Sequence, residues 1–470
     1  MKMKKISKGI YEIPKTGAMK VPVRIFASEK LLKDIEKDDC LKQMVNVAQL
    51  SGIEKYSIGM GDAHQGYGFC IGGVAAFDMD DGVISPGGIG YDINCGVRLL
   101  ATDISLNDFL KIRKEVLHDL GRTIPSGVGR GGRVNVTYQQ LDEILVEGVE
   151  WAVKKGFGNE KDIEFCEEGG RMKMADSDKV SKTAKKRGIG QLGTLGAGNH
   201  FVDFQVVDKI YDKKIAKVFG IEEGKIVVMI HCGSRGLGHQ VASDYIKSME
   251  DKYGFAKLPD RQLVCAPINS KLGKDYFKAM SAAANFAFCN RQIIMDNIRK
   301  MLERHFPENK SRLVYDVAHN MAKVEKYLID GVEKDLMVIR KGATRSFGPE
   351  REGIPAAYKK VGQPVLIPGS MSTHSFVLVG RKGNEELSFS SSAHGAGRAH
   401  SRSWAHKALS LEKVRQILEK KDILLEGSSK GSIEESELSY KDIEEVIKST
   451  EEIGLSDKVA SLRPVAVLIG

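Results

Sequence analysis

Apolar residues along this chain fall into short alternating runs and a few longer helical stripes, and the two kinds are interleaved. Between residues 8 and 29, Ile10, Tyr11 and Ile13, then Val21, Val23 and Ile25, alternate with other side chains and predict two short strands. Leu41, Met44, Val45 and Val47 recur at helical spacing and predict a helix over Cys40–Leu50. Gly72–Phe77 and Val97–Ile104 read as strands, and residues 106–120 as a helix. Phe201–Val207 reads as a strand, and the unbroken apolar run Ile226–Ile230 as a strand buried on both faces. Helices are expected from about Gln240 to Tyr253 and from Tyr276 to His305, the second with Phe277, Met280, Ala284, Ala287, Ile294, Ile298 and Met301 along one core-facing stripe. A strand at Val365–Ile367, helices over Leu411–Lys421 and Tyr440–Glu452, and a closing strand complete an α/β (α+β) pattern without internal repeats.

Composition changes this picture little. With 470 residues, 42% hydrophobic and 28% charged, the chain has a globular make-up; length alone suggests about three domains. No apolar run approaches the ~20 residues of a membrane span. The start, Met1-Lys2-Met3-Lys4-Lys5, lacks a signal-peptide core, so a cytoplasmic location is expected. Seven cysteines without regular spacing suit reduced thiols rather than a disulfide framework. The net charge of +9 favours a polyanionic partner such as nucleic acid.

The 50 glycines matter more, because they gather around polar motifs. Gly87–Arg98 places Asp92 and Cys95 three residues apart, a hard oxygen and a soft sulfur able to reach one metal centre. Asp62 and His64 stand in the glycine-flanked stretch Gly61–Gly68, read either as a capped turn or as outer support for a metal. Pro125–Arg133 reads as a flexible loop carrying Arg130 and Arg133. A run of Lys179, Lys182, Lys185, Lys186 and Arg187 leads into the glycine loop Gly188–Asp203, whose backbone N–H groups suit phosphate although the Walker spacing is absent. His231 ends the buried strand and opens His231–His239; His319 closes Asp316–His319; His394 begins His394-Gly395-Ala396-Gly397-Arg398, an imidazole beside backbone donors and a guanidinium. Asp92, Cys95, His200, His231 and His319 suffice for one or two divalent ions; softness alone does not choose among Zn, Mn, Fe and Co. The chemistry points to a metal-dependent enzyme acting on phosphates.

Six stretches together resemble, in order, the motifs of the RtcB family of RNA-splicing ligases: Gly88–Arg98, Leu195–Phe201, His231–Gln240, Asp316–Asn320, Arg340–Arg345 and Ala393–Arg398. The resemblance covers the chain from about residue 60 onward. It implies one compact domain over 1–470 with a central metal-binding cleft, and GTP- and Mn²⁺-dependent joining of RNA 3′-phosphate or 2′,3′-cyclic phosphate ends to 5′-hydroxyl ends, in tRNA splicing or RNA repair. Carried over by position, Cys95 would bridge two manganese ions, with Asp92 and His200 on one and His231 and His319 on the other. His394 would attack the α-phosphorus of GTP and carry the guanylyl group. The nucleotide would be held by Asn199, His200, Phe201, Val202 and Asp203; by His319 and Asn320; by Pro368, Gly369, Ser370, Met371 and Ser375; and by His394, Gly395, Ala396, Gly397 and Ile469. Arg187, Arg398 and Arg402 would meet RNA phosphates. A monomer and an archease-like activating partner are further expectations.

The chain also departs from the family's usual residues. Asp203 stands for Glu, Gly61-Asp62-Ala63-His64 for Pro-Asp-Val-His, and Cys232 for Thr; Ile339 replaces a polar residue, and Ser372 and His374 alter the loop after Met371. Most conspicuous is Ile469, where the family's lysine meets the guanine. Two alternatives therefore stand beside the ligase reading: a relative with altered nucleotide or end specificity, acting in 3′-phosphate capping or repair, and a non-catalytic RNA-binding relative.

Overall fold

Two mixed sheets and one long buried helix carry the architecture in the computed structural model, which describes residues 2–127, 131–427 and 429–470. The first sheet runs, in spatial order, through Lys4–Ser7, Ile10–Ile13, Val23–Phe26, Ile53–His64, Ile71–Asp78, Val332–Lys341 and Asn320–Ile329. The second runs Ser311–Ala318, Gly96–Ser105, Lys225–Cys232, Phe201–Ile210, Ser456–Ile469, Ser375–Gly380 and Pro364–Ile367, with Leu424–Gly427 laid in parallel on Ser456–Ile469. The apolar run expected at Ile226–Ile230 occupies an interior position of this sheet, paired on both sides and buried through Cys232. A two-stranded ribbon, Ala343–Arg345 with Ser391–Ala393, leads directly into His394. No helix among the described residues is long and apolar enough to cross a membrane.

The helix Lys271–His305 starts at Ser270, whose hydroxyl accepts from Gly273 N at 3.0 Å. It begins five residues before the expected Tyr276, and the single apolar stripe proves too narrow a description. From Ala279 to Asp296 every side is buried, and the helix contributes to two of the hydrophobic cores. Its interior polar residues hold the loops of the site. Asn285 bonds the Met172 backbone, Asn290 accepts from Gly193 N, and Arg291 ties the Asn94 and Cys232 carbonyls together.

Other boundaries also move. A helix at Glu29–Lys37, capped by Ser28, precedes Cys40–Val47. The helix expected over 106–120 is two, Leu106–Lys111 and Arg113–Thr123, broken at Ile112. The helix after the His231 loop starts at Arg235 rather than Gln240. Asp62 and His64 lie not in a turn but at the end of the strand Ile53–His64. Its glycines hid that strand; a Cβ on Gly59 would sit 2.2 Å from Met44 Cε, so close packing excludes a side chain there.

Candidate active site and metal centre

Asp92 and Cys95 sit on the loop after the short helix Pro86–Ile89, closed by Cys95 N donating to Asp92 O at 3.0 Å. Asn94 between them has a positive φ of 51° and anchors to the long helix through Ala284 O. His200 immediately precedes the strand Phe201–Ile210, His231 ends Lys225–Cys232, and His319 joins Ser311–Ala318 to Asn320–Ile329. The sheet thus delivers ligands from four separate segments to one point. Cys95 Sγ lies 3.2 Å from His231 Nε2 and 3.6 Å from His200 Nε2. His200 Nε2 is 2.8 Å from Asp92 Oδ2, and the Nε2 atoms of His231 and His319 are 3.3 Å apart. Two donor sets result, Asp92/Cys95/His200 and Cys95/His231/His319, sharing the thiol.

The donors fit a pair of divalent cations. His200 Nδ1 is 3.0 Å from the Leu195 carbonyl, which can only accept, so Nδ1 carries a proton, and Nε2, which here shares a proton with Asp92, would give its lone pair to a cation that displaced that proton. Burial, reinforced by the Asp92 carboxylate, pushes the Cys95 thiol up to about 12. A cation between these groups turns that penalty into attraction and displaces the proton. Burial raises the Asp92 carboxyl, but the adjacent His200 outweighs it and holds the group at about 2. Gly233 makes the close approach possible, since a Cβ there would fall 2.3 Å from Asp92 Oδ1. Cys232 lies 3.7 Å from His200 Nδ1, on the side away from Asp92's contact atom, and its Sγ accepts from Asn290 Nδ2 at 3.3 Å.

His394 stands beside this cluster, its ring 5.0 Å from that of His319. Asp62 is fully buried and binds it three ways: Oδ2 accepts from His394 Nδ1 at 2.7 Å, His394 N at 2.9 Å and Gly395 N at 3.3 Å. His394 Nδ1 therefore donates its proton to the Asp62 carboxylate, and Nε2 is the ring nitrogen left facing away from it. Gly397, at φ +70°, allows this contact, because a Cβ would meet Asp62 O at 2.2 Å. The sequence leaves Asp62 open between a capped turn and outer support for a metal; the geometry gives it to His394 instead. The two residues are separated by 332 positions, and nothing in either local pattern announces the pairing.

A cavity of about 550 Å³ opens over both groups. Asn199, His200, Phe201, His319, Asn320, Pro368 to Met371, His394 to Gly397 and Ile469 all line it, as do Arg398 and Arg402. Val202, Asp203 and Ser375 are buried outside that lining. Ser375 Oγ accepts from Gly369 N and Gln205 Nε2, supporting the wall. The Asp203 carboxylate accepts from Gln205 Nε2, and burial drives its pKa well above the usual range. Asn320 is a clamp, giving Nδ2 to Asp92 O and accepting from Gly342 N. Ile469 is 2% exposed and packs with Met371, Val467 and Phe201. Ile339, the other apolar departure, is core.

A family model described as tRNA-splicing ligase RtcB matches residues 43–470. The chain belongs to the RtcB family. Among its relatives, a protein of Methanococcus maripaludis named tRNA-splicing ligase RtcB is 50% identical, covering 99% of each chain. Those of Thermococcus kodakarensis and Nanoarchaeum equitans, with the same name, are each 49% identical over 100% of this chain.

Against that RtcB background the arginines expected at RNA phosphates are instructive. Arg398 donates to Glu434 O at 3.0 Å and Glu435 Oε1 at 3.3 Å, Arg402 pairs with Glu434 at 3.2 Å, and Arg187 donates to Gln240 at 2.9 Å. The motif reading gave no hint of Glu434 and Glu435. Of the lysine run, Lys179 and Lys185 pair with Asp275 and Asp142. Arg133 donates to the Arg122 carbonyl, while Val128, Gly129 and Arg130 of that loop lie outside the described residues. Lys341 was also overlooked. Its buried ammonium donates to the Tyr67, Phe69 and Gly87 carbonyls, and burial pulls its pKa down to about 7.

Proposed function

We propose that this chain is a GTP- and Mn²⁺-dependent RNA ligase that joins a 3′-phosphate or 2′,3′-cyclic phosphate end to a 5′-hydroxyl end through a guanylylated His394. The observation that carries the reading is the adjacency of two parts: a donor cluster sharing one thiol, and an imidazole whose Nδ1 proton is fixed so that Nε2 faces the same cavity. Asp92, Cys95 and His200 would hold one cation, and Cys95, His231 and His319 the other. Bound there, the pair supplies Lewis-acid charge against phosphate oxygens and toward a five-coordinate phosphorus.

The chain's own groups account for the rest. His394 Nε2 attacks the α-phosphorus of GTP; the N–P bond forms as the bond to pyrophosphate breaks. His394 keeps its Nδ1 proton, donated in a hydrogen bond to the Asp62 carboxylate, whose negative charge balances the positive charge that grows on the ring. An RNA 3′-phosphate oxygen then takes the guanylyl group, and the ring leaves with its lone pair restored. Finally the 5′-hydroxyl attacks the activated 3′-phosphorus, GMP leaves and the hydroxyl proton is lost. A cyclic end is first opened by water to the 3′-phosphate. The cavity-lining Arg398 and Arg402 suit bidentate contact with the RNA phosphates once released from Glu434 and Glu435.

The test is incubation with α-labelled GTP and Mn²⁺, followed by ligation of paired oligonucleotides. Acid-labile label on the protein, lost in His394→Ala, together with a joined product, supports the proposal; a native protein that takes up no label overturns it. A relaxed choice of nucleotide is the second reading, favoured by Ile469, whose apolar side chain in the cavity wall has no donor for guanine O6.

A further inference from the structure

The cleft holds aromatic surface that the chemistry above does not use. Tyr91, directly before Asp92, is half-buried in the cavity wall. The exposed His239 lies flat against it, with ring centroids 4.7 Å apart and planes at 25°, while Tyr67 meets Tyr91 edge-on at 5.4 Å. Gln240, the next residue, receives Arg187. The same construction recurs elsewhere on the cleft. Trp404, half-buried in the helix Arg402–Ala408, carries the exposed His400 at 4.0 Å and 22°, and His400 lines the cavity. Arg402 lies two residues from each ring, and Arg398 Nε donates to His400 O at 3.0 Å.

Stacked aromatics usually bury both faces in apolar side chains. Here each stack ends in an exposed imidazole with an arginine near it in the chain or through one hydrogen bond: Arg187 on Gln240 beside His239, and the cavity-lining Arg398 and Arg402 beside His400. A flat ring with a neighbouring guanidinium matches an unpaired nucleotide, base on ring and phosphate on cation. A ligase must hold two strand ends at once, and the cleft carries two such stacks.

We propose that Tyr91–His239 and Trp404–His400 are base platforms, each stacking an unpaired base near one of the two RNA ends being joined. The proposal rests on the RNA-ligase reading and adds how the ends are held.

Self-guanylylation needs no RNA, so its persistence in His239→Ala and His400→Ala reports a folded, charged site. Ligation of short 3′-phosphate and 5′-hydroxyl oligonucleotides by these variants should show KM for one end raised about tenfold or more, since a stacked base contributes roughly 1–3 kcal/mol. kcat should change little, and His239→Phe and His400→Phe should restore KM. Replacing bases near one end by abasic sites should raise the native KM by the same factor and leave the matching alanine variant no further to lose, which assigns each platform to an end. A 2-aminopurine at that position should be quenched on binding the native protein and not the variant. If both alanine variants guanylylate and join oligonucleotides with native KM, or if their losses persist undiminished on abasic strands, the platforms are wrong while the ligase reading stands. If the native protein neither guanylylates nor ligates, the underlying reading fails and the platforms fall with it.

Discussion

Two buried polar clusters share the same backbone segments and behave as opposites. In the first, Asp316 receives Arg98 and Arg291, and Arg291 uses each of its N–H groups, on both Asp316 oxygens, the Asn94 carbonyl and side chain, and the Cys232 carbonyl. In the second, Cys95, His231 and His319, one to three residues away along the chain, aim donor atoms at one another, and the Nδ1 atoms of His231 and His319 have no hydrogen-bond partner among the described residues. Burial is equal, and saturation is what differs. A cluster whose charges cancel internally is scaffolding; removing one partner leaves an unpaired buried charge. A cluster of convergent lone pairs is stable only because its histidines stay neutral, and it gains when a cation arrives.

The largest expected effect is in neither cluster. His394→Ala should abolish guanylylation outright while Mn²⁺ still raises the melting temperature; covalent GMP on that variant would remove His394 from its role. Next comes the crossed pair Cys95→Ala and Asp316→Ala. Cys95→Ala should lose bound manganese after dialysis and at least about a thousandfold in ligation, with the metal-free melting temperature nearly unchanged. It should also forfeit the metal's stabilisation, about 2.7 kcal/mol at a hundredfold excess over Kd. Asp316→Ala should instead destabilise the metal-free protein by about 3–5 kcal/mol in denaturant titration. Should Cys95→Ala unfold the protein, or Asp316→Ala leave it intact, the contrast between the clusters collapses.

Asp62→Asn comes third. It keeps the shape but offers a weaker acceptor to His394 Nδ1, so guanylylation should slow roughly 10–100-fold with metal content unchanged. A smaller effect is on acid stability. Burial holds His231 and His319 neutral and lowers His64 to about 4, the last against its contact with the Asp62 carbonyl. Each binds a proton on unfolding that it lacks when folded, so each costs stability as pH falls from 6.5 toward its folded value. His200, raised by Cys232 and Asp92 despite burial, acts in the opposite sense. Comparing melting temperatures of metal-free native and His64→Gln protein from pH 7 to 4 isolates one contribution: the variant should lose less. The smallest effect is Ile469→Lys. It should strengthen GTP binding about tenfold and sharpen guanylylation over adenylylation, if the amine gains a hydrogen bond to guanine worth roughly 1.5–3 kcal/mol. Unchanged affinity and selectivity would mean that the native wall already reads guanine.

The candidate donor cluster was legible because its members sit in or beside glycine-rich motifs near strand ends, where period and punctuation are strong. What stayed hidden was long-range. Asp62 looked like a turn residue or outer support for a metal because glycines masked its strand, and its partner His394 follows a strand of a separate two-stranded ribbon. The apolar stripe of the long helix gives no sign of Arg291, which ties the Asn94 and Cys232 carbonyls beside Cys95 and His231. Glu434 and Glu435 lie in a short, ordinary acidic stretch and matter only because the fold sets them on Arg398 and Arg402. Ile469 was visible as a departure, but its packing against Met371 and Phe201 was not.

The strand Ser456–Ile469 sits inside its sheet, between Phe201–Ile210 and Ser375–Gly380. On the ribosome those two neighbours exist well before the strand that joins them. At roughly 5–20 residues per second, the stretch from Gly380 to Ser456 leaves both inner edges unpaired for about 4–15 s. For that interval the nascent chain offers two open templates to any extended segment nearby, and a chaperone covering them would act before His200 and His394 can share a cleft.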